Sequence, residues 1–330
     1  MRLVFLSHVF FNEEVFLMPQ FILSDPNFSD GTRKDVIEAI VGEFREKPGV
    51  KLIGYEPDAD FDRLPVEVLG RPDAVREVLL NAAAKAYELI DMEQQHGRHP
   101  RIGAVDTIEI YPAKGITIDE CRDFAEELGN ELFKRHGVPI YFTGKNARQP
   151  DREGLTVIRK GNYEGLREAV LSDPSRAPDL GPARLHPTAG ATIVGALVEH
   201  DAYFNGVLDT TDLANAKKLA SYVRGRTGGF TNIQGVIGLP QTHRRTGKAC
   251  TVVSCEVSNP TKTPLHRIYN LLKAEAARYG VNVIAGQVCG TIAAEVLVQT
   301  AEWYLQLEGI NGPWDYKSQI LENHLLELEA

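Results

Sequence analysis

Apolar residues recur along the chain with two different periods, and together these periods predict a mixed α+β protein. A period near 3.6 predicts a helix, whereas short β-rich runs bounded by turn residues predict strands. Strands are expected in QFILSDPNF, GVKLIGYE, LPVEVLG and AVDTIEIYP, and helices in GTRKDVIEAIVGEFREK and RPDAVREVLLNAAAKAYELIDM. The first half therefore has the order βαββαβ. An added helix, with Thr117 as its cap and Gly137 as its stop, precedes a strand in VPIYFTG.

The same order begins again after a Pro- and Gly-rich connector that holds one short helical pattern near Tyr163 to Leu171. The run ATIVGALVEHDAYFNGVLD is interpreted as one strand region, followed by a helix in TTDLANAKKLASYVRG. Strands in FTNIQGVIGLP, ACTVVSCEVSN and VNVIAGQVCG, and helices in PLHRIYNLLKAEAARYG and TIAAEVLVQTAEWYLQLEG, complete the half. Two such halves predict two ferredoxin-like α/β sandwich subdomains, and one large α+β domain is the alternative.

Composition narrows the class of protein. A chain of 330 residues with 43% hydrophobic and 25% charged residues is typical of a globular protein of two domains. The net charge of −9 argues against nucleic acid or a membrane surface as the main partner, and no apolar stretch is long enough to span a bilayer. The four cysteines form no CxxC pair, which favours buried free thiols and a cytoplasmic protein. Residues 1–17 contain acidic interruptions and are interpreted as an extension, with Met18 as an alternative start.

The sharpest candidate for chemistry is His99, in the stretch QQHGRHPRIGAVD from Gln94 to Asp106. This histidine follows a predicted helix and precedes a predicted strand, and an imidazole of near-neutral pKa in a loop suits proton transfer. A surface histidine without function is the alternative. If His99 moves the proton, the rate is expected to fall below about pH 6, near the ordinary pKa of histidine.

Other polar groups give weaker signals. The turn PDADFDR carries Asp58, Asp60 and Asp62, but it lacks the glycine and distal glutamate of an EF-hand. It is either a solvated loop or a source of one carboxylate for a cationic substrate. RGRTGGF lacks the spacing of a phosphate-binding loop, and THRRTGK is interpreted as a hairpin tip that could bind a carboxylate. Since HExxH and CxxC motifs are absent, no metal is expected.

Several longer motifs occur in one order and carry a family resemblance. They are DPNFSDG, LLNAAAKAYELIDM, HPRIGAVD, KGITIDEC, VPIYFTG, PDLGP and AGAT, followed by NIQGVIG, VSNPTKTPLHRIY and VIAGQVCG. Together they resemble the formiminotransferase domain of glutamate formimidoyltransferase, from about Pro19 to Glu308. The resemblance implies two ferredoxin-like subdomains, at 18–195 and 196–308, with a C-terminal tail at 309–330. It also implies a homodimer and a cleft between the subdomains that binds tetrahydrofolate, which serves as the one-carbon carrier.

The resemblance also assigns roles to residues. The catalytic histidine of the family falls on His99, and Asp60 or Asp106 would orient its ring or stabilise a cationic carbon. Arg63 and Arg101 would clamp the carboxylates of a glutamate-type substrate. The folate-binding segments fall on GPARLHPTAG and GGFTNIQGVI. The cofactor-binding residues within them would be Gly181, Pro182, Thr188, Gly190, Gly228, Gly229, Gln234 and Gly235.

The implied activity is transfer of a formimino (or formyl) group between N-formiminoglutamate and tetrahydrofolate, in histidine degradation and one-carbon metabolism. One histidine can take a proton from the attacking amine and return it to the leaving nitrogen. Two departures from the family pattern are visible. Asp62 stands before Arg63 where the family usually has asparagine, and Leu197 stands where it usually has arginine. They leave open a second reading, a folate-binding paralogue that has lost catalysis.

Overall fold

A computed structural model describes residues 19–59, 61–97, 99–310 and 312–328. The predicted extension at residues 1–17 lies outside these ranges. The described chain forms two separate sheets, each with its own hydrophobic core. The prediction of two α/β sandwiches is therefore confirmed.

The first sheet has six strands in the order β2-β3-β1-β4-β6-β5. The strands β1 to β4 are antiparallel neighbours arranged as in a ferredoxin-like unit, whereas β6 runs parallel to both β4 and β5. Their bounds are β1 Phe21–Phe28, β2 Val50–Tyr55, β3 Leu64–Gly70, β4 Val105–Lys114, β5 Ile140–Gly144 and β6 Thr192–Ala196.

Helices α1 (Lys34–Gly42), α2 (Pro72–Leu89) and α3 (Ile118–His136) pack on one face of this sheet and bury its alternate residues. The predicted ends of α3 are confirmed. The Thr117 hydroxyl accepts from the backbone N–H of Glu120, whose carboxylate accepts from the N–H of Thr117, and Gly137 adopts φ 67° beyond the last turn. Two short helices, α4 (Leu155–Ile158) and α5 (Asn162–Ala169), lie in the connector.

The second sheet is a four-stranded antiparallel sheet in the order β10-β7-β9-β8, which repeats the arrangement of β1 to β4. Its elements are β7 Ala202–Leu208, α6 Leu213–Val223, β8 Ile233–Thr242, β9 Ala249–Val257, α7 Leu265–Ala277 and β10 Val283–Cys289. Three further helices follow, α8 Ala294–Leu305, α9 Tyr316–Gln319 and α10 Leu321–Leu328. In the part of the chain that the structure describes, no helix has the length and apolar content needed to cross a bilayer.

One expectation about the strands is wrong. The run ATIVGALVEHDAYFNGVLD is two strands in two sheets, because residues 197–201 separate β6 from β7. All five residues of β6 are buried between two parallel neighbours, which explains its continuous apolar sequence. Its continuation into Glu199, His200 and Asp201 brings charge to the junction between the sheets.

Candidate active site

A loop between α2 and β4 presents His99. The long helix ends at Leu89 rather than near Met92, since the Met92 N–H donates to the carbonyl of Thr188 (2.8 Å) instead of continuing the helix. Farther along, Gly103 lies against the backbone of Gly190, where a Cβ would come within 2.0 Å of the Ala191 carbonyl oxygen. The helix-to-strand junction predicted for residues 94–106 is therefore present, and close backbone packing holds its second half.

A buried ion pair anchors the start of β4. Asp106 is fully buried and accepts from Nη2 of Arg63 (2.9 Å), from Nη2 of Arg159 (2.6 Å) and from the backbone N–H of Ile102 (2.7 Å). Arg63 is 2% exposed and donates its other branch to Oγ of Ser29. Burial alone would raise the pKa of Asp106, but Arg159 and Arg63 outweigh it and lower that pKa, so Asp106 is an anion.

His99 lies beside this ion pair and is a neutral imidazole. Burial, followed by the positive charges of Arg63 and Arg159, lowers the pKa of His99 to about 4. Its Nδ1 lies 2.8 Å from the Pro100 carbonyl oxygen, which can only accept, so Nδ1 carries the proton and Nε2 is the basic nitrogen. The ring of Phe61 contacts the imidazole edge-on at 6.1 Å between centroids. Such a histidine can act as a base at neutral pH.

A cavity of about 650 Å³ opens between the two halves. The first half contributes Pro100, next to His99, together with Arg159, the middle of β4 and the ends of β5 and β6. The second half contributes residues at the end of β9. The described lining residues include five carboxylates and two cations, which are Glu109, Glu153, Glu199, Asp201, Glu256, Lys145 and Arg159. The cavity is of the size that binds small molecules, and carboxyl groups outnumber cations in its wall.

Three of these carboxyl groups have raised pKa values. Burial, together with the charges of Asp25 and Glu256, raises the pKa of Glu109 to about 7 against the opposing effect of Arg159. Burial followed by Glu109 and Glu256 raises the pKa of Asp201 to about 8, and burial also raises the pKa of Glu256. At neutral pH Asp201 is therefore mostly protonated and Glu109 is partly protonated, so the wall carries less negative charge than its five carboxyl groups would give if all were ionised.

Arg101 was predicted to clamp a substrate carboxylate, but its guanidinium binds other residues of the protein. Its guanidinium is 3% exposed, forms a two-pronged ion pair with Glu164 (2.7 and 3.0 Å) and also donates to the side chain and carbonyl of Gln95. It is not among the described residues that line the cavity. Arg63 is similarly enclosed by Asp106 and Ser29, so Arg159 is the arginine that joins the buried ion pair to the cavity.

The two segments predicted to bind folate lie outside the described cavity wall, the first in a turn and the second in the turn after α6 and the start of β8. Gly181 and Gly190 have φ of 102° and 71°. The Thr188 carbonyl accepts a hydrogen bond from the Met92 N–H. Gly228 has φ of 98° in the turn after α6, and a Cβ on Gly229 would meet the Val223 carbonyl at 2.1 Å. These backbone constraints explain the glycines there without a ligand. Asp60 falls outside the described residues, as does the burial of Gln234 and Gly235, while Pro182 is exposed.

The two departures from the family pattern have different surroundings. Asp62 adopts φ of 54°, a conformation that Asp and Asn tolerate best, and its carboxylate accepts from the Gly31 N–H (2.8 Å) and from the Gln95 amide. Both partners are donors, so a carboxylate fits locally. Leu197, in contrast, lines the cavity, where it supplies no charge.

Sequence reasoning missed Arg159, Glu109, Asp201 and Glu256. Arg159 is hidden in an irregular connector, and only the fold brings it to Asp106 from 53 residues away. Glu109 could have been found, because it is the one charged residue in the otherwise uncharged run TIEIYP of a predicted strand.

Comparison with known proteins gives one consistent family. The N-terminal subdomain of the formiminotransferase domain matches residues 21–197, and the formiminotransferase domain matches residues 204–319. A glutamate formimidoyltransferase of Streptococcus pyogenes serotype M1 is 38% identical over 301 residues, covering 91% of this chain and 97% of that protein. One from Thermoplasma acidophilum is 32% identical over 288 residues, covering 87% and 92%. The formimidoyltransferase-cyclodeaminase of Sus scrofa is 33% identical over 297 residues, covering 89% of this chain and 54% of that protein.

Proposed function

Because this chain belongs to the formiminotransferase family, we propose that it transfers a formimino group between N-formiminoglutamate and tetrahydrofolate. Its relatives named glutamate formimidoyltransferase are one-carbon transferases that match it over nearly their whole length. The observation that supports the proposal best is the neutral imidazole of His99, whose neighbour Pro100 forms part of the cavity wall. Tetrahydrofolate is a substrate in this scheme, and the reaction needs a proton carrier rather than a redox group.

The proposed reaction moves one proton between two nitrogens. The N-5 amine of tetrahydrofolate attacks the formimino carbon, and a tetrahedral intermediate forms. As the new C–N bond forms, Nε2 of His99 accepts the proton from N-5. The same nitrogen then returns it to the α-nitrogen of glutamate as the old C–N bond breaks. Asp106, close enough to act electrostatically on His99, would stabilise the imidazolium that exists between the two steps.

Arg159 is proposed to orient the substrate. Its side chain is 15% exposed, bonds to Asp106 and also lines the cavity, so it can meet a substrate carboxylate without leaving its buried partner. Lys145 supplies the second cation of the wall. The roles of Arg63 and Arg101 as clamps stay predictions, as do those of Asp60 and the two glycine-containing segments.

The proposal is tested by activity and binding together. The full chain is incubated with tetrahydrofolate and N-formiminoglutamate, transfer is followed by folate absorbance, and folate binding is measured by calorimetry. His99→Gln should bind folate but lose about 10²–10⁴-fold in rate, the usual contribution of a general base. His136→Gln, which changes a histidine on the helix face of α3, is the matched control. Absence of both turnover and folate binding would reject the function.

A second function is favoured by the cavity wall itself. Five carboxylates and an uncharged Leu197 face a site expected to hold anionic ligands. A paralogue that binds folate without catalysis would show folate binding, no transfer, and no difference between His99→Gln and the unaltered protein in any assay.

We also propose that the protein is a cytoplasmic homodimer with subdomains at 18–195 and 196–308. Its four free cysteines, three buried and one half-buried, suit a reducing compartment. Light scattering after size-exclusion chromatography tests the dimer, because a mass near the 36.5 kDa of one chain would contradict it.

A further inference from the structure

Three carboxylates lie side by side across three neighbouring strands of the first sheet. Asp25 of β1 is paired with Glu109 of β4, and the register that pairs Ser24 with Val68 places Asp25 opposite Glu67 of β3. The alternation of β1 buries Ile22, Ser24 and Phe28 on the helix side, so Asp25 is on the other face of the sheet. Like charges directly opposite one another destabilise a sheet. A positively charged partner would therefore stabilise the row of Glu67, Asp25 and Glu109.

His200, from the junction between β6 and β7, lies against this row. Its Nε2 is 2.6 Å from Oδ2 of Asp25 and 3.8 Å from Oε1 of Glu67, and one ligand atom from each of the three residues lies within 4.8 Å of the others. The three side chains are only 11–20% exposed. Around an ion with bonds of about 2.0–2.2 Å, tetrahedral ligand atoms are about 3.3–3.6 Å apart. Small side-chain rotations would bring these atoms to that spacing.

The polar atoms of this cluster are not all satisfied by the protein itself. Among the described residues, Oδ1 of Asp25 and Oδ1 of Asp201 are buried without a hydrogen-bond partner. Glu67 is held in place by the N–H and hydroxyl of Thr291, which follows β10. The ligand atoms are thus fixed by both halves, and one carboxylate oxygen is left for an ion.

We propose that Asp25, Glu67 and His200 bind one divalent transition-metal ion of the Zn²⁺ or Mn²⁺ type at the junction of the two halves. One imidazole and two carboxylates form a ligand set that suits these ions. Three protein ligands leave a position open for water or substrate, and Asp201, the next residue after His200, lines the cavity. No short motif predicts this site, since its ligands are separated by 42 and 133 positions in the sequence.

The test is a direct titration of the full chain. Chelator-treated protein is titrated calorimetrically with ZnCl₂, MnCl₂ and MgCl₂ at neutral pH. We expect one high-affinity ion per chain for Zn²⁺ or Mn²⁺, and binding at least tenfold weaker for Mg²⁺. Each of His200→Gln, Glu67→Gln and Asp25→Asn should weaken binding at least tenfold. The matched controls His136→Gln and Glu127→Gln lie on α3, away from the row, and should bind as the unaltered protein does.

A second readout covers variants that fold poorly. Co²⁺ added to the unaltered chelator-treated protein should give a visible ligand-field band that Zn²⁺ displaces at one equivalent, and Zn²⁺ should raise the melting temperature. Absence of the band and of a stoichiometric heat would overturn the proposal and leave the cluster as an ion pair between the halves. Equal affinity in the three ligand variants would overturn it too. Neither measurement uses folate, so the result is independent of the transfer assay.

Discussion

Asp106 is the anion that Arg63 and Arg159 share in the first half. Asp106→Asn keeps an acceptor for the Ile102 N–H but removes the anion from Arg63, which is 2% exposed. Since an unpaired buried charge is costly, we expect the free energy of unfolding to fall by about 3–5 kcal/mol. Urea denaturation followed by circular dichroism measures it. Asp119→Asn removes an exposed partner of Arg122 and should change stability by less than about 0.5 kcal/mol. Similar losses in both variants would contradict the buried pair.

The pKa of His99 gives a pH prediction that differs from the one made on sequence alone. A base works in its neutral form, and a lowered pKa keeps that form dominant down to about pH 4. The value of kcat/KM should therefore stay level from pH 8 to about pH 5 and decline only as pH approaches 4, whereas an ordinary histidine would cause a decline below about pH 6.5.

The pH dependence of kcat/KM in Arg159→Gln tests whether His99 sets the decline. This change removes one of the two positive charges that lower the pKa of His99, so the decline should move to higher pH. Arg148→Gln, on the exposed surface, should leave the profile in place. A decline near pH 6.5 in the unaltered protein would show that the bound substrate, or another group, sets the titration.

Among the helices, α3 allows the contribution of an N-terminal cap to stability to be measured. Thr117→Ala removes the hydroxyl that caps the Glu120 N–H and should cost about 1 kcal/mol of folding free energy. Thr117→Ser keeps the hydroxyl and should restore most of it. Chemical denaturation of the three proteins gives the comparison, and an equal loss in both variants would mean that the cap contributes little.

The ends of α3 also show which structural features could be predicted from the sequence. Thr117 and Gly137 act through neighbours three or four residues away, so their roles were predictable, as were the two βαββαβ orders. The break between β6 and β7 was marked only by the polar residues Glu199, His200 and Asp201, and these do not indicate which sheet each part joins. The Asp106–Arg159 pair and the row of carboxylates depend on strand register and long connections, which periodicity does not encode.

At the scale of the whole molecule, the cavity wall has more carboxyl groups than cations, and one substitution tests what this means for binding. Leu197→Arg adds a cation to the wall and should tighten folate or glutamate binding about fivefold, as expected for about 1 kcal/mol from a partly exposed charged hydrogen bond. Leu171→Arg adds the same charge at a side chain that is 71% exposed and outside the wall, and should leave affinity unchanged. Calorimetry measures both. Unchanged affinity in Leu197→Arg would place anionic ligands elsewhere.

The short passage from β6 to β7 limits how the two halves can move. Residues 197–201 are the only crossing between the two sheets in the described chain, and the six Cα–Cα steps from Ala196 to Ala202 span at most about 21 Å when fully extended. The end of β6 and the start of β7 can therefore never be farther apart than this span, which limits how far the halves can separate. Since His200 and Asp201 belong to this connection, a ligand that binds them also restrains the connection between the two halves.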